Sequence, residues 1–520
     1  MTDCGCAVPS DTVSSRRRSR SGGTGLRCER ALRGVAGLAV AFIGLGLVVP
    51  QPVRAAEWAQ LEALEKAGAR VSAAVLDLQD LSVVAERNAE NRLTPASLTK
   101  LAIAAASLEA WPVDKTFRTR IVSIAPPADG AVAGDLILQG DGDPSLDDHS
   151  LWSLAAQLKG RGITHVRGGL IVNAAPFGTM NCETSDRCKA LERSDTAYNA
   201  PLSSIGVDFG NWCVSVRPTT LAQPAEVQGC GVRTLPVPVE GTIRTVSRGS
   251  RQTFWVERVT RAGEDRLRMG GDIPLNGAQE LYRSMSDPAK GAGLLLAQML
   301  AELGIRIEGG VTVRPGVAPP EAVELARIEG LNLREQLGRM LRYSNNYIAD
   351  VLTLNLAAWL NKEPPTELSA ASRILSGFVA RAQGAAKLSR PETPAPLYSG
   401  SGLTPENLIS ASELVGLLAH QYRDTRRFPA FYGSLVVPRD APFQFLRDGT
   451  SAWLDRVALK TGTMQDPHSV CGLAGYLRKK DGGWMAFAVI VNGGASMPRV
   501  PLFRAMAAAR GDIEAILDKH

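Results

Sequence analysis

The feature that most constrains this chain is the junction where Thr94-Pro95-Ala96-Ser97-Leu98-Thr99-Lys100 runs into the apolar stretch Leu101-Ala102-Ile103-Ala104-Ala105-Ala106. Pro95 suits a first helical turn, where a missing N–H is tolerated, and the Ala/Leu-rich continuation favours helix. Ser97 and Lys100 then stand three positions apart on one face, within side-chain reach. A serine at a helix N-terminus has backbone donors directed at whatever it attacks. A lysine one turn on can take its proton, provided that lysine is held neutral. Alone, S-x-x-K is weak: about one or two matches arise by chance in a chain this long. By itself it describes a serine at the head of an ordinary core helix.

At 520 residues the chain is too long for one core, so two or three domains are expected. Aromatic residues make up only 5%, so those cores must be built mainly from Ala, Leu and Val. The net charge of +6 is largely local, with Arg16, Arg17, Arg18, Arg20, Arg27, Arg30 and Arg33 all lying before the first apolar run. The body is near neutral, which removes the case for a nucleic-acid surface.

That first run, residues 34–50, has the length of a signal-peptide core and falls short of the roughly 20 residues a membrane span prefers. Val53-Arg54-Ala55 supplies small residues at cleavage spacing, so residues 1–55 are expected to be a signal peptide removed after Ala55. The competing expectation is an uncleaved N-terminal anchor. Export makes the cysteines informative. Cys4, Cys6 and Cys28 leave with the leader, Cys471 stands alone, and Cys182, Cys188, Cys213 and Cys230 remain. Three connectivities are open to these four; the short-range one, Cys182–Cys188 with Cys213–Cys230, is the hypothesis. There is no C-x-x-C pair or H-x-x-x-H spacing, and no metal site is expected.

Periodicity predicts a helix over 57–68, strands over 70–76 and 81–85, and the Ser97 helix to about Pro112. Strands follow at 117–124, 135–139 and 166–172, with a helix over 150–158. Short strands at 214–216, 243–246 and 253–256 come next, and a weaker one at 235–239, confined to a sheet edge by Pro236 and Pro238. Helices are predicted over 291–303, over 331–360 with a break at Tyr343-Ser344-Asn345-Asn346, and over 370–382 and 410–422. A strand at 457–461, a hairpin of 472–478 with 485–491, and a helix over 501–517 complete the chain.

Ser344-Asn345-Asn346 interrupts a helix with residues whose side chains compete for the backbone. A hydroxyl and a carboxamide two positions apart there are placed to meet a substrate amide and relay protons. Lys460-Thr461-Gly462-Thr463 ends a predicted strand, where Gly462 would let a substrate backbone approach closely and Lys460 adds positive charge. Read singly, one is a polar loop and the other an edge-strand lysine before a turn glycine.

In the order S-x-x-K, S-x-N, K-T-G, the three resemble the penicillin-recognising serine acyl-transferases. Lys100 and Ser344 are 244 positions apart, Ser344 and Lys460 only 116. A simple β-lactamase has no room for the first interval. The chain is similar to the D-alanyl-D-alanine carboxypeptidase/endopeptidase family, the class C low-molecular-mass penicillin-binding proteins, whose two extra domains sit between the first and second motifs. Gly140-Asp141-Gly142-Asp143-Pro144-Ser145-Leu146, Tyr198-Asn199-Ala200-Pro201-Leu202-Ser203 and Gly400-Ser401-Gly402-Leu403 fit as well. Ser399 departs from the aspartate usual before the last of these, and Asn345 stands where aspartate is also common.

The resemblance implies an α/β fold: a penicillin-binding/β-lactamase-like transpeptidase domain, an antiparallel sheet flanked by helices. It would comprise 56–115 and 283–520, split by β-rich domains over 116–282, one nested at about 205–265. It further implies that Ser97 attacks a D-alanyl-D-alanine peptide bond with Lys100 as general base. Ser344 would pass the proton to the leaving amine, and Asn346 would orient Lys100 and the substrate amide. The N–H groups of Ser97 and Thr463 would form the oxyanion hole, and Lys460, Thr461 and Thr463 would hold the terminal carboxylate. No cofactor is needed. The expected partners are peptidoglycan stem peptides and cross-links, with β-lactams as covalent inhibitors; no nucleic acid is expected, membrane association is compatible but not required, and no oligomeric state is implied. The alternatives are an exported β-lactamase or serine esterase using the same dyad, and a non-catalytic cell-wall-binding protein on the same scaffold.

Overall fold

The computed structural model describes residues 58–180, 184, 187–188, 197–385 and 392–520. The expected leader, with cleavage after Ala55, lies outside these, as does Cys182 and with it the Cys182–Cys188 pairing. The described residues begin with helix α1 (Ala59–Lys66) and the antiparallel pair β1 (Arg70–Asp77) and β2 (Val83–Arg87). Strand β2 starts two residues later than expected because Leu81 turns the chain with a φ of 65°. A 3₁₀ turn, Ala96–Thr99, then feeds helix α2 (Lys100–Ala110), which is buried without interruption from Lys100 to Leu108.

The inserted part is built on a five-stranded mixed sheet. Strands β3 (Arg118–Ser123), β4 (Leu136–Gly140) and β5 (Leu170–Asn173) form its middle, with helix α3 (Asp148–Gly160) buried through Leu151, Leu154 and Leu158. The strand expected over 166–172 is broken at Gly168-Gly169, where the chain crosses another segment: a Cβ on Gly169 would stand 2.6 Å from the Gly310 carbonyl oxygen. Nested within this part, strand β6 (Asn211–Arg217) is held by the Cys213–Cys230 disulfide. The short strand expected at 253–256 is one arm of a long hairpin, β7 (Trp255–Arg261) and β8 (Glu264–Gly270), turning at Ala262-Gly263 with φ of 52° and 74°. The weak strand expected at 235–239 is not formed. Pro236 and Pro238 lack ladder donors, and the strand there is Val239–Gly241 instead.

Strand β9 (Gln279–Ser284) pairs with β6, Asn211 opposite Ser284, so this nested module reaches Ser284. The chain does not leave the inserted part at 283. Helix α4 (Pro288–Glu302) contributes Leu296, Met299 and Leu300 to the same core as α3. Strand β10 (Val311–Arg314) pairs with β5, and β11 (Val323–Glu329) with β3. The sheet order is β10-β5-β4-β3-β11. Pairing therefore carries the insertion to Glu329.

Helices α5 (Leu333–Arg342), α6 (Asn346–Asn361), α7 (Leu368–Ala385) and α8 (Ala411–Tyr422) follow, then β12 (Val457–Met464), β13 (Val470–Arg478), β14 (Trp484–Asn492) and helix α9 (Leu502–Lys519). The last three strands join β1 and β2 in one antiparallel sheet, order β2-β1-β14-β13-β12. Side chains alternate across a strand, and here both faces are covered. In β14, Ala486, Ala488 and Ile490 face the core that holds α2 and α5–α8, whereas Met485, Phe487, Val489 and Val491 face the core of α1 and α9. The small residues on the first face, Ala74, Ala474, Ala486 and Ala488, let α8 pack close to β1, β13 and β14. This α/β layering is the expected transpeptidase-like fold.

Candidate active site

Ser97 lies in the 3₁₀ turn ahead of α2, not in the α-helix itself, and is half-buried. Ala96 takes a φ of 47°, an unusual backbone state for a residue with a Cβ. The turn is wedged from two sides. A Cβ on Gly462 would stand 2.4 Å from the Pro95 carbonyl oxygen, and one on Gly402 would stand 1.9 Å from that of Ala96. Gly462 thus lets strand β12 approach the serine turn.

The amine of Lys100 is fully buried and has three neighbours: Ser97 Oγ at 2.8 Å, Asn346 Oδ1 at 2.7 Å and the Ser401 carbonyl oxygen at 2.7 Å. Asn346 is oriented by its Nδ2, which donates to the Tyr198 carbonyl oxygen at 3.3 Å. Its Oδ1 and the Ser401 oxygen only accept, so each takes one N–H. A neutral amine has two N–H groups and one lone pair. With both N–H groups used, the lone pair is left facing the Ser97 hydroxyl. Burial holds the amine well below the usual lysine range; the charges of Lys460 and Arg187 act in the same sense, and Asp350 opposes them. Geometry and electrostatics both favour an amine able to accept the Ser97 proton.

Ser344 sits between α5 and α6 with a φ of 57°. A left-handed serine costs on the order of 1–3 kcal/mol, and such strain collects at functional sites. It persists because Asn345 caps α6, its side chain accepting the Ile348 N–H at 2.9 Å. Asparagine and aspartate cap about equally well, so Asn345 replaces aspartate without loss of that bond. Lys460, also buried, donates from Nζ to Ser344 Oγ at 3.0 Å and to the Thr461 carbonyl oxygen at 2.7 Å. Desolvation brings its ammonium down to about 7.

Strand β12 is the sheet's edge. Leu459 N–H points outward to the Val436 carbonyl oxygen at 2.8 Å. Successive residues of a strand point opposite ways, so Thr461 and Thr463 also turn their backbone N–H groups outward, on the strand that lies against the Ala96–Thr99 turn. An extended peptide can add to such an edge. Ser399 closes its turn by accepting the Gly402 N–H on Oγ at 3.1 Å, a contact equally open to an aspartate side chain. The fold thus brings Ser97, Lys100, Ser344, Asn346 and Lys460 together, with Thr461, Gly462 and Thr463 alongside. The Cys213–Cys230 bridge is remote in the nested module, and Cys471 is buried in the catalytic sheet with its thiol pushed up to about 12 by burial.

Sequence reasoning missed two groups. Asp350, on α6, accepts the Ser401 N–H at 2.8 Å and forms a buried ion pair with Arg187. Its signal was available: Asp350 follows Asn346 by four positions, on one helix face, in an otherwise apolar stretch.

A serine and a buried amine at the head of a helix, facing a strand edge across a helix break, define a penicillin-binding-type serine acyl-transferase fold. The solved structure of penicillin binding protein 4 (dacB) from Haemophilus influenzae superposes with a TM-score of 0.68 at 20% identity, covering 88% of this chain and 99% of that one. A second structure of it, complexed with a novel β-lactam, gives 0.66 at 19% identity, over 87% and 99%. The D-Ala-D-Ala carboxypeptidase 3 (S13) family matches residues 55–508, and the chain belongs to that family of serine-type peptidases. It is 29% identical over 444 residues to the D-alanyl-D-alanine carboxypeptidase of Actinomadura sp. (strain R39), spanning 82% of this chain and 78% of the relative. It is 23% identical to the D-alanyl-D-alanine carboxypeptidase DacB of Haemophilus influenzae, over 82% and 86%.

Proposed function

We propose that this enzyme is an exported carboxypeptidase and endopeptidase of cell-wall peptidoglycan, cleaving D-alanyl-D-alanine termini and cross-links through an acyl-enzyme on Ser97. The observation that carries the proposal is the Lys100 amine, whose two N–H groups are taken by Asn346 and Ser401 and whose remaining direction is Ser97 Oγ. Ser97 Oγ attacks the carbonyl carbon and its proton passes to Lys100. General-base help of this kind contributes roughly 10²–10⁴-fold. The oxyanion is met by the N–H groups of Ser97 and Thr463, each such donor being worth about 10²–10³ in turnover.

Ser344, bonded to Lys460, relays a proton to the leaving amine. Asn346 holds both Lys100 and the substrate amide. The terminal carboxylate, carried by Lys460 with the hydroxyls of Thr461 and Thr463, draws Lys460 into its charged form on binding. Water then resolves the ester, and no cofactor enters the cycle.

A β-lactam acylates the same serine, a reading supported by the β-lactam bound in the Haemophilus influenzae structure. Export is supported by the Arg-rich, apolar leader; among the described residues no helix is long and apolar enough to cross a membrane. Digestion of defined cross-linked and uncross-linked muropeptides, read by product mass, tests the proposal. Release of D-alanine and of cleaved dimers supports both activities; intact substrates with a folded enzyme would sink it.

A further inference from the structure

The Ser401 carbonyl that occupies one Lys100 N–H belongs to a turn with no regular structure, yet the peptide groups on either side of Ser401 are held. A Cβ on Gly400 would stand 2.0 Å from Thr353 Oγ1, so the turn lies directly on α6. On the other side Gly402, with a φ of 71°, lies against Ala96. The Ser401–Gly402 peptide plane is fixed at its N–H end by Ser399 Oγ. The preceding N–H, that of Ser401, is fixed by Asp350 Oδ1 at 2.8 Å. Asp350 is itself fully buried and its other oxygen pairs with Arg187, which is also buried and donates from Nη1 to the Ala200 carbonyl oxygen at 2.5 Å.

We infer that Asp350, clamped by Arg187, is a positioning residue for acyl transfer: it fixes residue 401 so that the Ser401 carbonyl keeps one Lys100 N–H and the lone pair stays on Ser97. If the carbonyl drifts, the amine is free to rotate an N–H toward Ser97 Oγ, and the base is misdirected while the substrate cleft is unchanged. The effect therefore falls on the acylation step and not on binding. Arg187 has a second role in this arrangement. It neutralises a carboxylate that would otherwise lie buried and unpaired, and its bond to Ala200 ties the pair to the Tyr198–Ser203 segment, which orients Asn346. Two of the three Lys100 partners are thus set from one ion pair.

The inference rests on the proposed role of Lys100 as base, and the test separates the two. Removing one partner of a buried ion pair leaves an uncompensated charge, so paired substitutions are used. Asp350→Asn/Arg187→Met keeps an oxygen for the Ser401 N–H and leaves no charge; Asp350→Leu/Arg187→Met removes the oxygen as well. Acylation by benzylpenicillin is followed over concentration to give a limiting rate and a half-saturating concentration, with thermal melts reporting folding.

The Asn/Met protein is expected to stay within about tenfold of wild type in limiting rate. The Leu/Met protein is expected to lose about 100-fold in limiting rate, with half-saturation moving less than about threefold. Equal rates in the two double variants, or a loss expressed only in half-saturation, would overturn the inference. If leucine prevents folding, Asp350→Thr/Arg187→Met, too short to reach Ser401, carries the same expectation. A wild-type enzyme that takes no acyl group on Ser97 would instead refute the proposed function.

Discussion

Lys460 donates from Nζ to Ser344 Oγ at 3.0 Å, joining the edge of the sheet to the break between two helices. The lysine is buried and its ammonium is brought down to about 7 by that burial. The unfolded chain therefore binds a proton that the folded chain has released, in the window from about pH 7 to 10.5. Stability rises with pH across such a window: the cost of burying the charge is complete below it and gone above it. Lys460→Met is expected to be more stable than wild type at pH 6.5, with the gap closing by pH 10. Lys100, depressed in the same sense, leaves some slope in the variant. Urea denaturation of both proteins across this range checks the sign. A gap that widens with pH would contradict it.

Asn346 Oδ1 accepts from Lys100 at 2.7 Å, so Asn346→Asp adds a negative charge beside the amine. The charged groups already acting on Lys100 are Lys460, Asp350 and Arg187. An added carboxylate at this distance raises the lysine by roughly 1–3 pH units. With Lys100 as the proposed base, acylation needs the deprotonated amine, so its acid limb should move to higher pH by a similar amount, with the rate at pH 7 reduced. The pH profile of benzylpenicillin acylation reads this directly, and an unmoved limb would remove Lys100 from the role of base.

Gly462 faces the Pro95 carbonyl oxygen, and Gly462→Ala puts a methyl group 2.4 Å from it. The backbone must yield, displacing the serine turn from strand β12. A misplacement near 1 Å costs about 100-fold in rate. The variant should fold, show a lowered melting temperature, and lose acylation by about that factor. Unchanged acylation would mean that the turn tolerates movement.

The site was legible where chemistry interrupts a pattern. Ser97 and Lys100 open an apolar helix, Ser344-Asn345-Asn346 breaks one, and Lys460-Thr461-Gly462-Thr463 lies within strand β12 directly after its apolar start, Val457-Ala458-Leu459. Each break is local, so one segment suffices to see it. The hairpin of β7 and β8 is half hidden because charged residues fall on both faces, Glu257, Arg266 and Arg268 on the outer one and Arg258 and Asp265 on the buried one, leaving Val256, Leu267 and Met269 as its apolar buried marks. The return from the insertion was misplaced because α4 has the same apolar spacing whichever core it enters; only the pairing of β11 with β3 decides. The Arg187–Asp350 pair spans 163 positions, and nothing local to Arg187 announces it.

The most direct test of Ser97 as the nucleophile is the intact mass of the enzyme after benzylpenicillin, followed by peptide mapping and D-alanine release, in wild type and Ser97→Ala. The account predicts one penicilloyl group on Ser97, none on a folded Ser97→Ala protein, and no D-alanine released by that variant. A folded Ser97→Ala enzyme that still cleaves D-alanyl-D-alanine would contradict it.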